Sequence, residues 1–359
     1  MAGTFCYNAE TKNKRGLRMK QPDQTHEPVH SQDRERSLPE TEVQALLSQF
    51  WRLVGKLATP VLAGALLVSG CGDDSVNAND GDTNAVADTQ ELSDTEDTTV
   101  DTKKEPDSEP VAVDGRPFVV DGAVRHSRMA PGEGWSHAQA IPLDNLGPEE
   151  REVLHAHWAR IAQGEHASIA SFSRFTLELL HLGATENLLM QCAEALRDEV
   201  RHARIALSMA ATYAGQPVAP SPLDIRDSLN TSREAAHILR STIQGGCINE
   251  TLAIAQIKAA ASRTRIPAIQ ELLRDIAEDE SRHAALAWQS ARWMIEERPS
   301  LRAVAEQTFE EHRLTAPSQR EDVRPNLEAH GYLTPHQAYA AVRHAMTSVV
   351  TPCMETLLS

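Results

Sequence analysis

Two short stretches of the chain carry the same residue types in the same order. Asp198-Glu199-Val200-Arg201-His202 and Asp279-Glu280-Ser281-Arg282-His283 both read Asp-Glu-x-Arg-His, 81 residues apart. On a helix, Glu and His three positions apart lie on one face and can present an oxygen and a nitrogen to one point. A carboxylate with an imidazole is an N/O ligand pair suited to iron or manganese. The repetition points to two metal ions.

Glu-x-x-His alone proves little, because the chain contains six such pairs. Helical phase separates them. Each residue turns about 100°, so the core face of a helix can be read from its apolar stripe. The first stripe is Leu154, Trp158, Ile161, Glu165, Ser168, Phe172 and Phe175, which puts Glu165 in a core position. The third runs Leu239, Ile243, Cys247, Glu250, Ile254 and Ile257, and Glu250 holds the core slot. On the second, Leu188, Cys192 and Ala195 lead to Glu199 and His202; on the fourth, Ile269, Leu272 and Ile276 lead to Glu280 and His283. The Glu of Glu152/His155, Glu178/His181 and Glu234/His237 fall on the opposite, solvated faces, and Glu27/His30 lies in an unassigned leader. His166 turns off the inward face.

The elements that must position these residues follow from caps and breaks. Gly147-Pro148-Glu149-Glu150 opens a helix that runs to about Leu182, with Pro in the first turn and acidic residues at the positive end of the helix dipole. A second spans about Glu186 to Tyr213 and ends at Gly215, before the Pro-rich connection GQPVAPSPLDIRDSLN. Thr231-Ser232-Arg233-Glu234 has capping-box spacing and begins a third helix to about Ala261; Pro267 begins a fourth that stops before Pro299. Short turns join the first to the second and the third to the fourth, and the long connection joins the middle pair. The expected fold class is all-α: a four-helix bundle of two antiparallel hairpins with a crossover over residues 146–298. Helical stretches near Leu301 to His312 and Thr334 to Leu358 form a C-terminal extension, 299–359, expected outside the bundle and without chemistry.

One Glu, one Glu-x-x-His, one Glu and one Glu-x-x-His thus fall on successive helices. The segments EHASIA at Glu165 and ETLAIA at Glu250 add a second echo, so each half is a Glu helix followed by a Glu-x-x-His helix. Four carboxylates in an apolar interior are costly unless protonated or matched by positive charge. No inward Lys or Arg is visible, and two divalent cations would match them.

With these six residues in place, the chain resembles the ferritin-like di-iron carboxylate superfamily, and more closely its rubrerythrin-type and bacterial ferritin-like members. The resemblance implies that Glu199 and Glu280 bridge two irons, with manganese as the alternative. It makes Glu165 and Glu250 terminal ligands, and gives His202 and His283 one metal each. It further implies that Asp198 bonds His283 and Asp279 bonds His202 across the pair, fixing tautomer and basicity; two solvated Asp residues are the other reading. The implied activity is an oxidoreductase using O₂ or hydrogen peroxide with an unidentified electron donor, the six ligands being its catalytic residues. The alternatives are an iron-binding or scavenging protein without organic turnover, and a metal-free interaction module. A homodimer is a further expectation. Cys6, Cys71, Cys192, Cys247 and Cys353 form no C-x-x-C pair, so the rubredoxin-type electron supply is missing. Tyr213 near a helix end argues against a tyrosyl radical. Cys247, one turn before Glu250, either tunes the site or is a small apolar residue.

Upstream, residues 1–50 are a polar leader of no assigned fold. Residues 51–70 read as a signal peptide: Arg52 and Lys56, an apolar run from Leu57 to Val68, then Val68-Ser69-Gly70-Cys71. That ending resembles the lipobox of bacterial lipoproteins, implying lipidation at Cys71 and a lipid-anchored place in the cell envelope; a buried apolar helix with a chance Cys is the other reading. Residues 71–114 form an acidic tether, with 14 acidic residues against Lys103 and Lys104. Most of the chain's net charge of −16 sits there, so the acidity describes the tether and argues against nucleic acid as a partner. Residues 115–145 lead into the bundle.

Overall fold

A computed structural model describes residues 48–52, 115–229, 234–317 and 323–359. The lipidation site Cys71, most of the signal segment, the acidic tether and the Thr231-Ser232-Arg233 part of the capping box lie outside these residues. The described chain is predominantly helical, with two short antiparallel strand pairs. Among the described residues no helix is long and apolar enough to cross a membrane.

Helix α1 spans Pro148–Leu182, and the Gly147 N–H that precedes it donates to the Glu150 carboxylate at 2.9 Å. It stops at Gly183, where the Ala184 N–H returns to the Leu179 carbonyl. Helix α2 is Glu186–Ala214. The third element, α3, is composite: Ala235–Ser241, a π-helical stretch Thr242–Glu250, then Thr251–Arg263. Helix α4 is Pro267–Glu297. The C-terminal part contains α5 (Arg302–Glu311), α6 (Pro325–Ala329) and a final helix, α7, that starts as Pro335–Ala345 and ends as Thr351–Leu357.

Among the described residues the apolar side chains gather in a small cluster of Phe118, Val120 and Ala167 and in two large ones. One holds Phe172 and Phe175 of α1, Leu188 and Cys192 of α2, Ile238 and Ile243 of α3, and Trp288 and Met294 of α4. The other holds Leu154 and Trp158, then Met209 and Tyr213, then Ala260 and Ala261, then Ile269 and Leu273. The order in which each helix visits them gives its direction. α1 and α4 run one way and α2 and α3 the other, so α2 and α3 need the long connection between them. α1 packs on α2, and α3 packs on α4.

Three departures from expectation come from segments outside these helices. Strands β1 (Val119–Val120) and β2 (Ala123–Val124) form a hairpin through Asp121-Gly122, both at positive φ, the requirement of a two-residue turn. Phe118, Arg174 and the Val119 carbonyl, which accepts from Arg174 at 2.6 Å, lay this hairpin over α1. Glu178, expected on a solvated face, is therefore buried at 6% exposure beside Arg174. Burial raises its carboxyl above the usual range, Arg174 opposing. The C-terminal part, expected outside, shares the first cluster through Val349, Val350, Cys353 and Leu357. Phe50, placed in the leader by the sequence, is fully buried there, and Gln49 donates to the Pro352 carbonyl at 3.0 Å.

The turn after α6 is held by Gly331 at φ 87, with the Tyr332 N–H returning to the Leu327 carbonyl at 3.1 Å. Just before it, His330 Nδ1 pairs with the buried Tyr213 hydroxyl at 2.9 Å. This contact fastens the C-terminal part to the end of α2. Tyr213→Phe should leave the buried imidazole without its hydroxyl partner and lower stability by about 1–2 kcal/mol. Urea unfolding checks this, and an unchanged midpoint counts against the contact as a fastening.

Candidate metal centre

All six residues chosen by helical phase converge. Glu199, His202, Glu250, Glu280 and His283 are at most 4% exposed, and the Glu165 side chain keeps 17%. Two ligand groups result, each with its oxygen and nitrogen atoms within 4.8 Å of one another: Glu165, Glu199, His202 and Glu280, and Glu250, Glu280 and His283. Glu280 belongs to both. Its two oxygens face different imidazoles, Oε1 at 2.9 Å from His202 Nδ1 and Oε2 at 3.3 Å from His283 Nδ1. Glu199 also spans the groups, with Oε1 3.1 Å from His283 Nδ1.

The rest of each repeated motif explains the spacing. His202 turns Nδ1 inward and Nε2 outward to Asp279 Oδ2 at 3.0 Å; His283 turns Nε2 toward Asp198 Oδ2 at 3.6 Å. Each imidazole of one motif thus faces the Asp of the other; the hydrogen bond to Asp279 fixes the orientation and tautomer of His202, whereas His283 Nε2 stands beyond hydrogen-bond distance of Asp198. The arginines close the box. Arg282 donates to Asp198 at 3.0 Å and also contacts Asp279, while Arg201 contacts Asp279 and lies 3.8 Å from Asp198. Both guanidinium groups stand at the solvated rim. Burial alone would raise the Asp198 carboxyl, but His283 and Arg282 hold it near 2.

The expectation of no inward cation is wrong. Arg116, from the entry segment, is 5% exposed and lies 3.8 Å from Glu250 Oε1, with its guanidinium over Phe172 and Phe175. Space for it exists because α3 carries Gly246 at that level. A Cβ there would meet Arg116 Nη2 at 2.4 Å and the Ala287 Cβ at 2.3 Å. No helical stripe signals Arg116, since it arrives from an irregular segment; only the Gly245-Gly246 pair inside a helix hints at a close approach. His166 is apart from the cluster, bonded to Ser127 at 3.0 Å, and Cys247 is buried but in neither ligand group.

The donor set fits divalent metal. Glu199 Oε2, both Glu250 oxygens and the Nδ1 atoms of His202 and His283 are buried with no hydrogen-bond partner, a costly state for protein groups but the expected one for metal ligands. Without metal, protons must balance the charge. Burial, then Glu280, pushes Glu199 up to about 8, and the same causes push Glu250 well above its usual range. Burial alone would lower His202, but Glu165 and Glu280 hold it up at about 10; His283 is raised likewise, with Glu280 foremost among the groups that outweigh its burial. Glu280 remains ionised, because the two imidazoles outweigh its burial. Comparison with known proteins finds no counterpart: no family model, no curated protein and no solved structure matches the chain.

The raised groups bind more protons folded than unfolded. Their contribution is complete below ordinary values of 4.5 and 6.5, and is lost as pH rises through about 8 for Glu199 and about 10 for His202. Metal must displace these same protons, so its affinity rises with pH. The metal-free chain should therefore lose thermal stability between pH 6 and pH 9, while the gain on adding Fe(II) or Mn(II) grows. Thermal midpoints across pH test both trends; a gain that shrinks with rising pH would rule out this proton–metal exchange.

Proposed function

We propose that the chain is a ferritin-like di-iron carboxylate protein whose four long helices form one bundle around the centre, acting as an oxidoreductase on O₂ or hydrogen peroxide. The observation that carries this reading is the meeting of two Glu/His ligand groups at one shared carboxylate, Glu280, with both imidazole Nδ1 atoms turned inward. Glu165, Glu199 and His202 would hold one iron, Glu250 and His283 the other, with Glu280 and Glu199 between them. A pair of ferrous ions supplies two electrons, enough with two protons to reduce hydrogen peroxide to two waters, or O₂ to peroxide.

The chain's own groups set the conditions for that chemistry. Asp279 keeps His202 oriented with Nδ1 toward the carboxylates, and Asp198 faces His283 Nε2 at 3.6 Å. The surrounding apolar clusters limit water, and Glu165 is the ligand most open to an entering molecule. Arg116 stays beside Glu250 and offsets part of the carboxylate charge. Lipidation at Cys71 would place the centre in the envelope. Cleavage there would also remove Phe50 from its buried slot, so the intact mass of the isolated chain bears on both points.

Metal analysis of the full chain after iron supplementation should give about two irons per chain, lost in a Glu199→Ala/Glu280→Ala double variant. With a chemical reductant present, peroxide should continue to be consumed after the first equivalent has oxidised the iron. Consumption that stops at one equivalent would favour iron binding without turnover. A folded, metal-free wild type would sink the reading altogether.

A further inference from the structure

A cavity of about 450 Å³ reaches the carboxylate cluster, with Glu165, Glu199, Glu250 and Glu280 all contributing to its lining. It lies between α1 and α3, the two helices that carry a Glu without a His. Its walls are mostly apolar, with Ile161 from α1, Ala253 and Ile257 from α3, Leu273 from α4, and Leu333 and Ala338 from the C-terminal part, while Arg160, Ser168 and Gln256 add polar groups. The segment thought from the sequence to carry no chemistry thus closes one side of the centre.

Size and lining decide what belongs there. At about 30 Å³ per water, the cavity has room for on the order of fifteen, whereas O₂ or hydrogen peroxide needs the space of one or two. Walls of Ile, Leu and Ala give such water few hydrogen bonds, so an apolar molecule would displace it favourably. Charge argues in the same direction. Arg116 already faces Glu250, the other lining arginine, Arg160, is engaged as well, and His157, also in the lining, is held neutral by burial, with Arg160 beside it, its pKa lowered to about 3. The carboxylates at the cluster disfavour an anion, and a cation would leave its charge among aliphatic walls.

We infer that this cavity binds an uncharged apolar organic molecule, aliphatic or aromatic, with one end against the Glu165 side of the carboxylate cluster. As a substrate site it rests on the di-iron oxidoreductase reading; as a binding site it stands on the cavity alone. The Tyr213–His330 contact and the turn at Gly331 hold the wall that makes it, so the site is built into the folded chain.

The test uses the full chain loaded with iron and the uncharged fluorophore 1-aminoanthracene. Binding should saturate near one probe per chain. Ala253→Phe in the deep wall and Ala338→Trp in the C-terminal wall should each weaken it at least tenfold while metal content is kept. Wild-type protein gives a second readout that needs no variant: straight-chain alcohols should displace the probe with affinity rising about fourfold per methylene, up to a length at which the cavity is full. Absence of saturable binding, displacement without a length limit, or full binding in both metal-loaded variants would overturn the inference. Metal analysis of the same samples separates the two proposals. Iron without probe binding removes the cavity ligand and leaves the oxidoreductase reading, whereas variant-sensitive probe binding to a chain that takes no iron does the reverse.

Discussion

Charge neutrality at the centre of the helices is the constraint on which the rest of this structure depends. Glu165, Glu199, Glu250 and Glu280 are brought together where solvent can do little to screen them. Their repulsion has to be met by cations or by protons. His202 and His283 lie between the carboxylates, Arg116 comes in beside Glu250, and the unpaired oxygen and nitrogen atoms left inside form a donor set for divalent metal. The two large apolar clusters lie on either side, holding the helices together above and below the break in each apolar stripe.

The repeated Asp-Glu-x-Arg-His motif divides this task by position on the helix. Glu and His, three apart, face inward. Asp, one residue before the Glu, reaches across to the His of the other copy, and Arg, three after the Asp, reaches back to the acidic pair. α2 and α4 are thereby joined by a box of two carboxylates and two guanidinium groups at the solvated rim. The box holds the His202 imidazole by a hydrogen bond and places Asp198 opposite that of His283. A single copy could not close it, which gives the repetition a structural reason in addition to the two ligand groups.

How much of this was legible follows from what a helical stripe reports. It marks a residue whose surroundings are other regular helices, so Glu165, Glu199, His202, Glu250, Glu280 and His283 could be read directly, as could the limits of α1, α2 and α4. It is blind to irregular chain folded over a helix. Arg116, the burial of Glu178 and the C-terminal wall of the cavity all depend on such chain. The Asp121-Gly122 pair between short Val-containing runs was a usable hairpin signal for the segment that covers Glu178. The π-helical stretch before Glu250 had only the paired glycines to mark it, yet Glu250 kept its inward position. Phe50 was unreadable because nothing local distinguishes an aromatic residue that packs against chain some 300 positions away.

The two halves of the repeat are alike in ligands and unlike in surroundings, and the difference gives the centre a direction. Glu250 ends a π-helical stretch and is pressed by Gly115, where a Cβ would come within 2.7 Å of its Oε2, with Arg116 at its other oxygen. Both residues stand beside Glu250 in the lining of the cavity. Glu165, its counterpart, keeps 17% side-chain exposure and faces the cavity. A half packed by the entry segment and its arginine and a half with a more exposed carboxylate therefore share Glu280. Glu165 is thus the more accessible of the two terminal carboxylates, and the entry segment that the sequence left without a role is what packs against the other.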